Sequence, residues 1–298
     1  MHDQTKPSTP LTYTRTFQVR HYECDSYGHL NNIHYLHYMQ EAAFDASAAV
    51  GYDFQRYKRM GQKWLIRTTE IEYLQPLSYG DTVEVKTWVD DVRRVRSTRS
   101  YEFYQAGSPG LVARAWSDWV FIDELTGQPA RIPAELAGAF FAGDLPERFL
   151  PRQTFPLPPD PPEAAFKMNR RVAWQDIDME GHVNNAVYLS YVEDCGFQVI
   201  AAHGWPVQRM TAQGFAIILR KHQIEYIQPA LLDEELLLTT WASHVKRSSA
   251  LRYYTIQRAG DNALLARIST LGVWIDLSTS KPIRIPPDFL ADFADNIV

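Results

Sequence analysis

VRHYECDSYGHLNNIHYLHYMQE, from Val19 to Glu41, returns 153 residues later as VAWQDIDMEGHVNNAVYLSYVED, from Val172 to Asp194, with 9 of 23 positions identical. The same offset carries on without a net gap. Glu72 and Tyr73 fall on Glu225 and Tyr226, Pro76 on Pro229, Trp88 on Trp241, Arg94 on Arg247, Tyr101 on Tyr254 and Asp123 on Asp276. Self-similarity at a fixed offset marks a repeated structural unit, so the 298 residues read as two copies of one fold. Between them, Gly143 to Phe166 holds seven of the 18 prolines and reads as an extended linker. The expected organisation is a domain over residues 11–141, a Pro-rich linker over 142–166 and a second domain over 167–298.

Within each copy the pattern changes in a fixed order. A short strand-like run comes first, Phe17 to Cys24 or Arg171 to Ile177, followed by a Gly-containing loop. A helix is expected next, Ile33 to Val50 or Ala186 to Ala202, because Tyr35, Leu36, Met39 and Ala43 recur at three- and four-residue spacing. Asn32 and Asn185 sit where N-caps belong. The remainder is rich in Val, Ile, Thr, Tyr and Trp and is broken by YGD at 79–81, AGS at 106–108 and AGDN at 259–262. That pattern predicts four successive antiparallel strands. Each copy is thus an α+β unit whose sheet can wrap around its helix. Two fused copies can pair edge to edge as an intramolecular twofold dimer, which covers the exposed edge of each sheet.

Composition narrows the functional classes. Hydrophobic residues make up 45% and charged residues 22%, as in soluble globular chains. Thirty Lys and Arg against 35 Asp and Glu give a net charge of −5, which argues against a dedicated nucleic-acid binder. Two cysteines, Cys24 and Cys195, supply neither a disulfide framework nor a cysteine metal site, and the expected location is the reducing cytoplasm. The polar N-terminus and the lack of any long apolar run predict no secretion signal and no membrane span.

The chemistry concentrates in the loop before each helix, DSYGHLNN at 25–32 and DMEGHVNN at 178–185. A carboxylate precedes a glycine turn, a histidine and paired asparagines that open the helix. The free N–H groups of a helix N-terminus favour developing negative charge. Acyl transfer needs such a stabiliser together with a group that attacks or that activates water, and Asp25 or Asp178 suits either role. A thiol of pKa about 8.5 departs more readily than an amine or alkoxide, so a thioester fits this sparse site. Its hydrolysis requires no metal or other cofactor and no strong general acid.

These motifs resemble the hotdog-fold acyl thioesterases, especially the fused double-hotdog acyl-ACP thioesterases and the single-hotdog acyl-CoA thioesterases of the 4-hydroxybenzoyl-CoA type. The resemblance spans both copies and implies a tandem (double) hotdog fold, with an acyl-CoA or acyl carrier protein thioester as substrate. It implies that Asp25 and Asp178 act as nucleophile or general base and that the helix N-terminus polarises the carbonyl. The acyl-ACP branch resembles DxNxHVNN in its C-terminal copy, where Asp, Asn and His act together. Asp178 and His182 match that pattern, and Glu180 stands in for the Asn. A further acid expected four positions after Glu225 is Pro229 here. The N-terminal copy keeps Asp25, Gly28, His29, Asn31 and Asn32, so two working sites are expected. They are expected to differ in activity, because Tyr27 faces Glu180 in the alignment. The chain is read as a monomeric pseudo-dimer or a homodimer. One alternative is hydration or dehydration of an acyl thioester. Related hotdog proteins place four residues between Asp and His, against three here. The other is a non-catalytic acyl-thioester binding module.

Plainer roles compete for several residues. Asp25 and Asp178 could close Asx turns, and His29 and His182 could brace the loop. Asn32 and Asn185 fit caps, whereas Asn31 and Asn184 fit orienting of the loop or the attacking water. Arg93, Arg94, Arg96 and Arg99, with Lys246, Arg247 and Arg252, recur near a strand turn. They read as a solvated strand face or, with Arg94 and Arg247 as substrate contacts, as a site for coenzyme A phosphates or an acidic carrier helix. Trp64, Trp88, Trp116, Trp119, Trp241 and Trp274 read as packing. Cys24 also reads as packing, because its partner position is Ile177.

Overall fold

A computed structural model describes residues 8–143, 145 and 154–298. The chain divides into two compact units, Met1–Thr154 and Phe155–Val298. Positions 144 and 146–153 of the expected linker lie outside the described residues.

The first unit runs β1 (Thr9–Pro10), β2 (Tyr13–Gln18), α1 (Asn32–Ala49), α2 (Phe54–Met60), β3 (Gln62–Tyr73), β4 (Thr82–Val92), β5 (Arg96–Gln105), β6 (Leu111–Asp123), α3 (Ala134–Gly138) and β7 (Phe141–Ala142). The second repeats it as β8 (Phe166–Arg171), α4 (Val187–Ala202), α5 (Val207–Ala212), β9 (Phe215–Tyr226), β10 (Glu235–Ser243), β11 (Ser249–Arg258), β12 (Leu264–Asp276) and α6 (Pro287–Asp292). The first unit's sheet has the order β2-β4-β5-β6-β3, and the second has the equivalent order β8-β10-β11-β12-β9. Every one of these neighbouring pairs is antiparallel. The short β1 pairs with β7 apart from the main sheet.

The sequence periodicities account for these elements. In β4, Val83, Val85, Thr87 and Val89 are buried and alternate with more exposed neighbours, the period of two that a one-sided sheet requires. Helix α1 buries Tyr35, Leu36, Met39, Ala42, Ala43 and Ala46, a stripe at helical spacing. Each large apolar side chain in that stripe contributes roughly 1.5–3 kcal/mol when fully buried. The Tyr35 ring meets Tyr73 at 5.1 Å and Phe103 at 5.4 Å, and Tyr188 meets Tyr226 at 5.4 Å. Each unit thus has the α+β arrangement expected of one copy, and the chain carries it twice, as the resemblance to tandem hotdog proteins implied.

The first strand of each copy departs from expectation. Strand pairing stops at Gln18 and Arg171, and 3-10 turns at His21–Glu23 and Trp174–Asp176 follow. Tertiary hydrogen bonds cause the change. The Glu23 carboxylate is 3% exposed and accepts from Arg20 N at 2.8 Å and from Tyr38 Oη at 2.6 Å. Asp176 does the same with Ala173 N at 2.9 Å and Tyr191 Oη at 2.7 Å. A buried carboxylate must be hydrogen-bonded to be tolerated, and folding the chain back into a tight turn supplies the donors. The sheet also has a second packing layer that the sequence pattern did not indicate. Tyr52, Phe121, Ile132, Leu136 and Phe140 cluster around α2 and α3, and Trp205, Trp274, Ile285, Phe289 and Phe293 cluster around α5 and α6.

Candidate active site

The 3-10 turn delivers the chain into the loop that precedes the long helix. Asp25 N donates to His29 O at 2.8 Å and Gly28 N to Asp25 O at 3.0 Å; Asp178, His182 and Gly181 repeat both bonds at 3.1 and 3.0 Å. Gly28 and Gly181 both sit at φ +79°, where a side chain is disfavoured. Neighbouring backbone anchors each loop: Leu30 N donates to Leu77 O and Val183 N to Ala230 O.

The carboxylates close the Asx turns anticipated as their plainer role, with different surroundings. Asp25 Oδ1 accepts from Tyr27 N at 2.8 Å and His29 N at 3.1 Å, and the His29 side chain is exposed. Asp178 Oδ1 accepts from Glu180 N at 2.9 Å, whereas Oδ2 accepts from Asn184 Nδ2 at 3.1 Å. His182 Nδ1 stands 4.0 Å from Asp178 Oδ1, and both side chains are about one-fifth exposed. The second copy therefore assembles Asp, His and Asn around one carboxylate. Glu180 takes part there through its backbone N–H, and its side chain is exposed.

The asparagines exchange their expected duties. Asn31 caps α1, its Oδ1 accepting from Ile33 N at 2.9 Å, and Asn184 Oδ1 accepts from Ala186 N at 2.9 Å. Asn32 and Asn185 are not side-chain caps. Helical geometry begins one residue after Asn31 in the first copy, which leaves the cap position to the earlier asparagine. Among the described residues the backbone N–H of Asn32 and of Asn185 donates to no acceptor, so each stays available to a developing oxyanion. The Asn185 carbonyl accepts from Tyr226 Oη at 2.9 Å, which fixes that peptide in place.

The basic residues do not form one surface. Arg93 pairs with Asp91 at 3.3 Å and Arg96 with Asp118 at 2.8 Å. Arg94 and Arg247 are exposed on the β4–β5 and β10–β11 hairpins. Arg99 instead points into the protein and is 6% exposed. The expected solvated strand face fails for Arg99 because it alternates in phase with buried Ser97, Tyr101 and Phe103. Neither cysteine is activated: burial, with Asp25 second, raises the Cys24 thiol, and burial pushes Cys195 up to about 12. Among the described residues no group of three or more His, Cys, Asp or Glu converges to hold a metal, and no helix is long and apolar enough to cross a membrane.

Two features escaped the sequence reading. The Glu23–Tyr38 and Asp176–Tyr191 pairs hold the turn before each loop, and the acid at both positions together with the repeated tyrosine was the available signal. His34 and His37 occupy the start of α1 with their Nδ1 atoms 3.4 Å apart; burial lowers both pKa values. Their counterparts are Val187 and Ser190.

Comparisons with known proteins agree with the repeat. The family description "Thioesterase-like superfamily" matches residues 19–140 and again 172–293. The acyl-CoA thioester hydrolase YbgC of Escherichia coli is 30% identical over 128 residues, covering 43% of this chain and 95% of that protein. The chloroplastic palmitoyl-acyl carrier protein thioesterase of Gossypium hirsutum is 23% identical over 205 residues, covering 65% of this chain and 49% of that protein. Among solved structures, the 12:0-ACP thioesterase from Umbellularia californica superposes with a TM-score of 0.70 at 20% identity, covering 88% of this chain and 93% of that one.

Proposed function

The chain belongs to the thioesterase-like superfamily and is a thioester hydrolase, and on that premise we propose that it cleaves an acyl-CoA or acyl-ACP thioester with Asp178 as general base. One observation carries the assignment: both Asp178 oxygens are held, by Glu180 N–H and by Asn184 Nδ2, with the His182 ring beside them. A carboxylate fixed in this way is oriented to take a proton from water. Each oxygen accepts one of these bonds and keeps a second lone-pair site that can receive that proton.

Water adds to the thioester carbonyl as Asp178 accepts its proton, and the oxyanion meets the Asn185 N–H, two residues before α4. Collapse of the adduct breaks the C–S bond, releases the carboxylic acid and expels the thiolate, which takes up the proton held by Asp178. A leaving thiol of pKa about 8.5 makes a separate strong acid unnecessary. Asn184 holds the carboxylate, and His182, with Nδ1 3.3 Å from Val183 O and 4.0 Å from Asp178 Oδ1, stands beside the water. Asp25, which among the described residues accepts from two backbone amides, forms the weaker of the two loops.

The test is thiol release from a panel of acyl-CoA and acyl-ACP thioesters by the parent, Asp178→Asn and Asp25→Asn. Asp178→Asn is expected to lose about 10²-fold or more in kcat/KM, in the range of general-base catalysis, and Asp25→Asn less than about tenfold. Equal losses would refute the division of labour. Absence of thiol release from every thioester would reject hydrolysis in favour of hydration of an unsaturated thioester or of binding without turnover.

A further inference from the structure

Helix α1 carries two histidines that the second copy lacks. His34 and His37 are three residues apart, so their side chains are neighbours on the helix surface, one turn above the other. Their Nδ1 atoms stand 3.4 Å apart, with the ring centroids at 5.4 Å and the ring planes inclined by 53°. Both residues are partly exposed, which leaves the pair within reach of solvent.

A hydrogen bond between neutral rings would draw the nitrogens closer, since an N–H donor typically approaches its acceptor to about 2.7–3.2 Å. A shared metal ion would not. Two imidazole nitrogens, each about 2.0–2.1 Å from a tetrahedral Zn²⁺, are separated by about 3.3–3.4 Å, the edge of the coordination tetrahedron. The separation of the two Nδ1 atoms, 3.4 Å, falls on that edge.

The electrostatics are those of a cation site. Burial lowers the pKa of both rings, and the His37 ring lowers that of His34 further, so both are neutral at pH 7, the form that ligates metal. With the proton on Nε2, each Nδ1 presents a lone pair. The Glu23 carboxylate acts on both rings and Glu41 on His37, against the opposing charge of Arg20 beside His34 and the positive end of the helix. Glu23 already accepts from Arg20 N and Tyr38 Oη, and Glu41 pairs with Arg15 at 3.1 Å, so these acids supply field and the histidines supply ligands.

The other copy shows that the fold does not call for imidazoles here. The corresponding positions on α4 are Val187 and Ser190, whereas the two acids recur as Asp176 and Asp194. The sheet order is equivalent in both units. What the first copy adds to a shared frame is the pair of nitrogens.

We propose that His34 and His37 chelate a late divalent transition-metal ion, represented by Zn²⁺, through their two Nδ1 atoms, with water in the remaining coordination positions. Imidazole suits Zn²⁺, Ni²⁺ and Cu²⁺, whereas Mg²⁺ and Ca²⁺ take oxygen ligands. The ion ties together the first turns of α1, directly after the loop that holds Asp25. The site lies within the first unit and does not depend on the thioesterase reading.

The experiment is calorimetric titration of the metal-free full chain with ZnCl₂ at pH 7, for the parent, His34→Val, His37→Ser and His244→Asn. The first two substitutions install the residues of the second copy, and His244 is an exposed histidine of the other unit. The parent and His244→Asn are expected to bind Zn²⁺ alike, each α1 variant at least tenfold more weakly because chelation needs both rings, and MgCl₂ to give no binding. A parent Kd weaker than about 100 µM overturns the site, as does an affinity retained within about threefold in both α1 variants. An equal loss in His244→Asn also overturns it, as capture by scattered surface histidines. If the α1 variants fail to fold, the imidazole NMR signals of the parent decide. One equivalent of Zn²⁺ must shift the His34 and His37 rings and leave His244 in place; unmoved His34 and His37 signals remove the proposal.

Discussion

His222 makes this protein acid-sensitive at a calculable rate. Its ring lies 2% exposed in the interior of the second unit, and burial lowers its pKa from 6.5 to about 3. The unfolded chain binds a proton at this ring below about pH 6.5 and the folded protein does not, so unfolding gains a proton there and stability falls as pH falls from about 6.5 toward 3. Between pH 7 and pH 5 the folded ring stays neutral throughout. The loss is RT ln[(1 + 10^1.5)/(1 + 10^−0.5)], on the order of 2 kcal/mol. The perturbation is His222→Thr, which reproduces Thr69 at the same place in the first unit and keeps an oxygen to meet Thr270. Urea unfolding of parent and variant at pH 7 and pH 5 isolates this ring, because His34, His37 and the carboxylates titrate alike in both proteins. The parent should lose about 2 kcal/mol more than the variant on acidification. A difference below about 0.5 kcal/mol, or an NMR titration of the His222 ring with a midpoint near 6, would refute the reasoning.

Two further expectations concern the loops. Gly28→Ala and Gly181→Ala introduce a Cβ with nothing within 4 Å at the same φ of +79°. Each should therefore cost about 1–2 kcal/mol from backbone strain alone, with the two losses equal by urea unfolding; a marked inequality would show that contacts, and not the left-handed backbone, set the cost. His182→Gln should lower kcat for thioester hydrolysis about 10²-fold, and at least tenfold more than His29→Gln, because only His182 stands beside its aspartate. Matching losses in the two variants would remove the distinction between the loops.

Much of the fold was legible because it depends on short-range periodicity. The 3.6-residue stripe of α1, the alternation in β4 and the turn signals at 79–81, 106–108 and 259–262 all depend on which face is buried, and the 153-residue repeat supplies each reading twice. The loop that holds Asp25 and Asp178 was also legible, since Asx turns, glycine φ and caps are local chemistry. The errors arise where distant residues decide. HYE at 21–23 continues a strand-like run by propensity, yet Tyr38 lies fifteen residues away and pulls the Glu23 carboxylate inward. The cap shifts by one asparagine because two adjacent residues of equal propensity differ only in backbone angles. Arg99 was misread against available evidence. Ser97, Tyr101 and Phe103 mark its face as buried, and the general habit of arginine outweighed the alternation.

Duplication makes these misreadings interpretable, because the second copy acts as an internal control on the first. Both sheets have the same strand order and both loops the same backbone hydrogen bonds, so differences in side chains cannot be attributed to a different scaffold. On that common frame the second copy gathers His182 and Asn184 around its carboxylate and closes its buried arginine with Asn296. The first leaves His29 in solvent and places glycine where that asparagine would be, with Thr87 accepting from its buried arginine. The contrast between the loops is therefore one of side chains on a common backbone: Asp178 is held through both oxygens, by an amide N–H and an asparagine side chain, whereas Asp25 accepts from two backbone amides through one oxygen, and the division of labour proposed for the two aspartates follows from that difference.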